Sequence, residues 1–116
     1  MKPLLPKEPM VKLNPGSLAM ICLAASFVPP VFALDAAADT FKAKCQMCHG
    51  ADGVGATPAG KIAKIVSFKD PSIVSAPDAD LIAVVNKGKN KMPAFAGKLS
   101  DDQIAALVAY IRTLQK

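Results

Sequence analysis

Cys45-Gln46-Met47-Cys48-His49 constrains what this chain can be more than any other stretch of it. Two cysteines three apart fall on one side of a helical turn. Both sulfurs then lie along one edge of a flat group, with the next residue turning beneath it. Cys-x-x-Cys-His is the pattern by which a c-type haem is attached covalently. Each thiol adds across a vinyl group of the porphyrin, and the adjoining imidazole reaches the iron.

His49 is the only histidine, so no other residue competes with it as the nitrogen ligand. Of the five methionines, Met1, Met10 and Met20 lie in an apparent leader segment. Met47 sits between the attachment cysteines and cannot swing to the opposite face of the ring. Met92 is then the one thioether able to complete a His/Met iron, the axial pair that raises the reduction potential of electron-carrying haem proteins. Met92 also has a plainer reading as core packing, because methionine fills gaps readily. The cysteine pair has plainer readings too. A thioredoxin-type redox pair needs a βαβ context, which this sequence lacks. Zinc needs more ligands than two cysteines and one histidine, and beyond the leader no further Cys or His remains.

The N-terminus carries Lys2, Lys7 and Lys12 in a proline-containing lead-in with one acid, Glu8. An apolar run follows over residues 18–28, and then Val31-Phe32-Ala33, with small residues at the −3 and −1 positions of a cut after Ala33. Basic segment, apolar core and small-residue site in that order describe a secretory signal peptide, residues 1–33. The alternative is an uncleaved membrane anchor. Pro29-Pro30 breaks the run short of the roughly 20 residues that a spanning helix needs. Cys22 invites a lipoprotein reading, but Met20 and Ile21 are not the small residues expected before a lipidated cysteine.

Trimming after Ala33 leaves residues 34–116, one small domain, and a chain of that size struggles to build a sufficient core alone. Its aromatics are Phe41, Phe68, Phe95 and Tyr110, with no tryptophan. A large apolar cofactor would supply the missing core and act as a covalent staple, whereas a disulfide between Cys45 and Cys48 would close only a tiny loop. The trimmed chain carries ten lysines and Arg112 against eight aspartates, about +3 for the protein part. Lys87, Lys89, Lys91 and Lys98 surround Met92. This is either a docking face or ordinary solvated surface. No arginine-rich tract or interleaving of aromatic and basic residues points to nucleic acid.

Three helices can be placed. The first starts at about Asp35 or Ala36 and runs into the cysteine motif, with Ala37, Phe41, Cys45 and Cys48 on one stripe. The second begins near Pro77-Asp78, carries Leu81, Ile82, Val84 and Val85, and stops at Gly88. The third opens on Ser100-Asp101-Asp102-Gln103, a capping box, with Ile104, Leu107, Val108, Ile111 and Leu114 as its stripe. Residues 50–58 read as loop, and 62–68 as a short apolar segment, helical or extended. Neither βαβ alternation nor an internal repeat is visible.

These residues resemble the class I monohaem cytochromes c, above all small soluble bacterial members and the cytochromes that stand in for plastocyanin in algae and cyanobacteria. The likeness spans essentially all of the chain after the leader and is most specific over 41–50 and from Asn86 through Met92-Pro93-Ala94-Phe95 to Arg112. It implies an all-α fold of three to five helices wrapped around one covalent haem c. The first and last helices would cross through Ala37 and Phe41 against Leu107 and Tyr110. Family members usually have glycine at the position of Ala37. A proline carbonyl commonly accepts the Nδ1–H of the proximal imidazole in this family, and Pro58 is the candidate here.

The implied function is a monomeric, exported electron carrier with no enzymatic turnover, working in the periplasm or thylakoid lumen. Its haem is bound by Cys45, Cys48, His49 and Met92. Its partners are redox proteins with an acidic docking face: a cytochrome bc-type complex, a terminal oxidase or a photosynthetic reaction centre. It meets the membrane only through them. The alternatives are a haem c subunit tethered to or docked on a larger oxidoreductase, and a ligand-activating haem enzyme in which Met92 would be labile.

Overall fold

A computed structural model of the chain describes residues 30–116. The expected leader lies outside the described residues as far as residue 29. Its last four residues form the first turn of α1 (Pro30–Lys44). This helix starts one turn before the expected Asp35. Proline is tolerated there because a first-turn N–H has no helical partner, and Ala33, Ala36, Ala37 and Ala38 favour helix strongly. Val31 and Phe32 are 63 % and 68 % exposed, whereas Ala37 and Phe41 are buried. The contribution of α1 to the core therefore begins after Ala33.

Cys45 interrupts the helix, and the chain resumes as α2 (Gln46–His49). The N–H groups of Cys48 and His49 both donate to the Cys45 carbonyl, at 3.2 and 3.0 Å. Counted with α1 as one interrupted helix, α2 brings the described residues to five helices; counted apart, to six. α3 (Pro58–Ala63) lies where the sequence suggests loop and then an undecided segment. Thr57 caps it, Pro58 opens it, and Lys64 ends it in a left-handed conformation at φ 54°. Residues 65–67 are irregular. α4 (Pro71–Val74), which the sequence reading passes over, is a single turn. The Asp70 carboxylate accepts from the N–H and hydroxyl of Ser72 at 2.9 and 2.6 Å. Those bonds hold the Asp70 carboxyl below its ordinary value.

α5 (Asp78–Lys87) and α6 (Asp101–Leu114) begin and end where the sequence places them. Gly88 terminates α5, and both halves of the Ser100/Gln103 capping box are formed at the start of α6. Ile104, Leu107 and Val108 are buried almost completely, and Ile111 nearly so. α1 packs across α6, and α5 lies beside α6. At the crossing Ala37, Phe41 and Leu107 are buried, and the Phe41 and Tyr110 rings meet at 5.3 Å and 55°. The alanine at position 37 is accommodated, at 4 % exposure. Truncating Phe41 to alanine would cost about 3–5 kcal/mol. Among the described residues the only β features are two isolated bridges, Lys89 with Met92 and Ala96 with Leu99, and no helix is long and apolar enough to cross a membrane.

Candidate haem site

A cleft of about 210 Å³ opens between the α1–α2 region and the chain that follows α5. Phe41, Cys45 and His49 line one side; Val85, Met92 and Ile111 line the other. A smaller pocket beside it is bordered by Cys45, Cys48, His49 and Met92, together with Phe95. All four residues expected from sequence thus meet around adjoining apolar cavities. Met47, in the middle of the motif, is 78 % exposed and borders neither.

The His49 side is fastened by backbone and by one hydroxyl. The His49 carbonyl accepts from Gly55 N–H at 2.8 Å, and Gly50 N–H donates to the Gln46 carbonyl at 2.8 Å. Thr57 Oγ1 shares its one proton between the Met47 and Cys48 carbonyls, at 2.8 and 3.0 Å, and accepts from Gly60 N–H at 2.9 Å. One threonine therefore caps α3 and ties it to α2. Gly60 sits in the seam between them. A β-carbon there would come within 2.4 Å of the carbonyl oxygens of Cys48 and Gly55, both backbone atoms.

Burial sets the protonation of the site. It pushes the Cys45 thiol up to about 11, with the Lys44 cation pulling weakly the other way. It also holds the His49 imidazole below the ordinary histidine value. At neutral pH the imidazole is therefore uncharged, the form that coordinates a metal. Cys45 and Cys48 are both free thiols, not joined to each other. The imidazole stacks on Phe68, centroids 4.7 Å apart and planes 20° apart. Its Nδ1 is buried without a hydrogen-bond partner. The Pro58 carbonyl, where the family likeness suggests an acceptor, does not take that role.

The Met92 side is a tight turn hung from α5. Lys89 and Met92 exchange backbone hydrogen bonds at 3.2 and 2.9 Å, with Asn90 at φ 53° between them. Two further bonds, Phe95 N–H to the Val85 carbonyl at 3.0 Å and Ala96 N–H to Asn86 at 3.1 Å, hold the turn to the end of the helix. Met92 is half-buried and packs on the core cluster. Lys64, Lys89 and Lys91 border the cleft mouth, all exposed. Lys91 Nζ lies 3.4 Å from the Ile62 carbonyl on the other side.

The donor set fits a haem. An uncharged imidazole and a thioether border one apolar cleft, with the free thiol of Cys45 on it and that of Cys48 on the pocket beside it, and among the described residues no group of three or more His, Cys, Asp or Glu side chains could hold another metal ion. The sequence reading missed Thr57, Gly60 and Phe68. Thr57-Pro58 is a helix-start signature that could have revealed α3. Nothing in the sequence signals the Phe68 stack.

Comparison with known proteins agrees with the fold and cleft. The family model for cytochrome c oxidase, cbb3-type, subunit III matches residues 32–111. Cytochrome c6 of a Picosynechococcus species is 39 % identical over 111 residues, covering 88 % of this chain and 92 % of that protein. Cytochrome c6 of Thermosynechococcus vestitus is 39 % identical over 93 residues, covering 78 % and 80 %. The solved KustC0563 c-type cytochrome superposes with a TM-score of 0.64 at 28 % identity, over 69 % of this chain and 98 % of that one. The chain belongs to the class I cytochromes c. Within that class it is an electron carrier of the cytochrome c6 type and not an enzyme, and the family likeness and all-α fold read from sequence are borne out.

Proposed function

We propose that this protein shuttles single electrons between membrane redox complexes through one haem c, held by thioether bonds from Cys45 and Cys48 and by axial His49 and Met92. The observation that carries the reading is the convergence of those four side chains on one apolar cleft and the pocket beside it. The haem would supply a one-electron ferric/ferrous couple; the chain binds it, orients it and keeps water away. Phe41, Val85 and Ile111 give the cleft its apolar lining. His49 offers an uncharged nitrogen, and the turn of residues 89–92 holds a thioether that needs no proton to bind. His49 and Met92 together would hold the iron, so the group would serve electron transfer and not substrate binding.

Export with removal of residues 1–33, into the periplasm or a thylakoid lumen, completes the reading. A cut after Ala33 would take away one turn of α1 whose Val31 and Phe32 are exposed, and would leave buried Ala37 and Phe41 in place. The lysines that border the cleft favour a partner with an acidic face, such as a cytochrome bc-type complex, a terminal oxidase or a photosynthetic reaction centre. The description of the matching family model, an oxidase subunit, favours a second reading: a haem c subunit docked on a larger oxidoreductase.

Intact mass of protein exported with a working haem-attachment system tests the attachment. The expected species is the chain from Leu34 plus one haem that acid-acetone does not extract. Extractable haem would overturn it, and a retained leader with co-purifying oxidase subunits would favour the second reading. Met92→Ala should abolish the weak red absorption band of an iron–sulfur bond, lower the potential and admit cyanide. An unchanged spectrum would mean that another residue is the ligand.

A further inference from the structure

We infer that Thr57 is the positioning residue for the second half of the attachment motif: its hydroxyl fixes the peptide planes on both sides of Cys48, and so the direction in which the Cys48 sulfur and the His49 ring leave the backbone. This rests on Cys48 and His49 as haem-binding residues. α2 is a single turn, too short to satisfy its own carbonyls. The Cys45 carbonyl accepts from the N–H groups of Cys48 and His49, the Gln46 carbonyl from Gly50 and the His49 carbonyl from Gly55. Among the described residues no backbone N–H donates to the carbonyls of Met47 and Cys48. Those are the two that the Thr57 hydroxyl serves.

A peptide unit is flat, and it is fixed once both its N–H and its C=O are held. The unit joining Met47 to Cys48 has its N–H on the Cys45 carbonyl and its own carbonyl on Thr57, and so has the unit joining Cys48 to His49. Cys48 stands between two planes restrained in this way. Thr57 is restrained in turn. Pro58 confines it to the extended backbone that it adopts, φ −68° and ψ 158°, and Gly60 N–H donates to its Oγ1 at 2.9 Å. Its branched β-carbon stiffens χ1. The cap on α3 uses an oxygen lone pair, whereas the tie to Met47 and Cys48 uses the proton, so substitutions can separate the two roles. Serine keeps both. Ionised aspartate caps a helix well but only accepts, so it keeps the bond from Gly60 and loses the tie. Valine loses both.

The haem-methyl proton resonances of the ferric holoprotein provide the test, because their order and spread follow the plane of the axial imidazole and the seating of the ring. The wild type is read first: absence of covalent haem or of a bound imidazole there would sink the site assignment itself, before any Thr57 variant is compared. Thr57→Ser should keep the wild-type order and spread, while Thr57→Val and Thr57→Asp should both change it. Thr57→Asp with the wild-type pattern would overturn the inference and leave Thr57 as a helix cap. So would Thr57→Val with the wild-type pattern and only a lower Tm, or Thr57→Ser departing as far as Thr57→Val. A second measurement needs no variant and decides the matter even if the valine and aspartate proteins fail to hold haem. Three-bond couplings about the Thr57 Cα–Cβ bond in the wild-type holoprotein should report a single rotamer, and averaging over several would overturn the inference.

Discussion

The two walls of the cleft are held in different ways. On the His49 wall the backbone between residues 46 and 60 is tied to other parts of the same wall at several points, through Thr57, Gly55 and the seam at Gly60. On the Met92 wall the turn of residues 89–92 bonds mostly to itself, and two hydrogen bonds connect it to α5. Its position depends instead on what holds α5 to α6. The first wall is rigid by local knitting, the second by distant bracing. That contrast suits a group attached permanently at one side and coordinated reversibly at the other, and it says where substitutions should be felt.

The most damaging test of the knitted wall is Gly60→Ala. The added carbon meets two backbone oxygens, with no flexible side-chain tip to give way. Overpacking of this kind costs about 3 kcal/mol or more, a large share of the stability of a small domain. Denaturant unfolding of the holoprotein should show a lower midpoint at unchanged slope, together with a poorer yield of attached haem. If Gly60→Ala matches wild type in both, the seam between α2 and α3 is looser than this geometry requires.

Arg112 is the brace of the other wall. It donates to the carbonyls of Ile73 and Val74 at 3.2 Å each and to that of Ala76, and its Nε donates to Asp78 at 2.9 Å. It thereby pins α6 to the segment that leads into α5. Only the planar five-donor fork of arginine reaches so many acceptors at once. Arg112→Lys should therefore lose about 2 kcal/mol, and should speed displacement of the Met92 thioether by exogenous imidazole while leaving haem attachment intact. Asp78→Asn removes only the exposed ion pair and should cost well under about 1 kcal/mol. Equal losses in the two variants would mean that the ion pair, not the carbonyl clamp, does the bracing.

The same contrast governs what could be read from the sequence. The start and stop of α5 and the start of α6 were legible because they carry local chemistry: Pro77 and Gly88 for one, the Ser100/Gln103 box for the other. The proposed ligand pair rests on there being one histidine and one usable methionine, and both border the cleft. The support of the His49 wall was not legible. Thr57 acts across nine and ten residues on Cys48 and Met47, and Gly60 matters only because α3 folds back onto α2. Neither contact has a periodicity to betray it. The acceptor expected at Pro58 came from family likeness alone, and no local signal marks the Phe68 stack on the ring.

The smallest expected effect concerns how the two walls meet a partner. Sequence pointed to Lys87, Lys89, Lys91 and Lys98 on the Met92 side; the structure adds Lys64 from beyond the end of α3, so lysines border the cleft mouth from both walls. Electron transfer needs only brief contact, and charge steering raises the encounter rate more than it tightens binding. The double reversal of Lys89 and Lys91 to Glu should slow reaction with an acidic partner severalfold at low salt and leave the haem spectrum unchanged. Lys64→Glu alone should slow it less but measurably, and reversal of Lys42 and Lys116, which border neither cavity, should do least. All these differences should fade as added salt shortens the Debye length below about 10 Å. Stopped-flow rates against ionic strength check this. If Lys64→Glu is silent while the Lys89/Lys91 reversal is slow, only the Met92 wall meets the partner. If every variant shows the same flat salt dependence, the lysines do no more than keep the surface solvated.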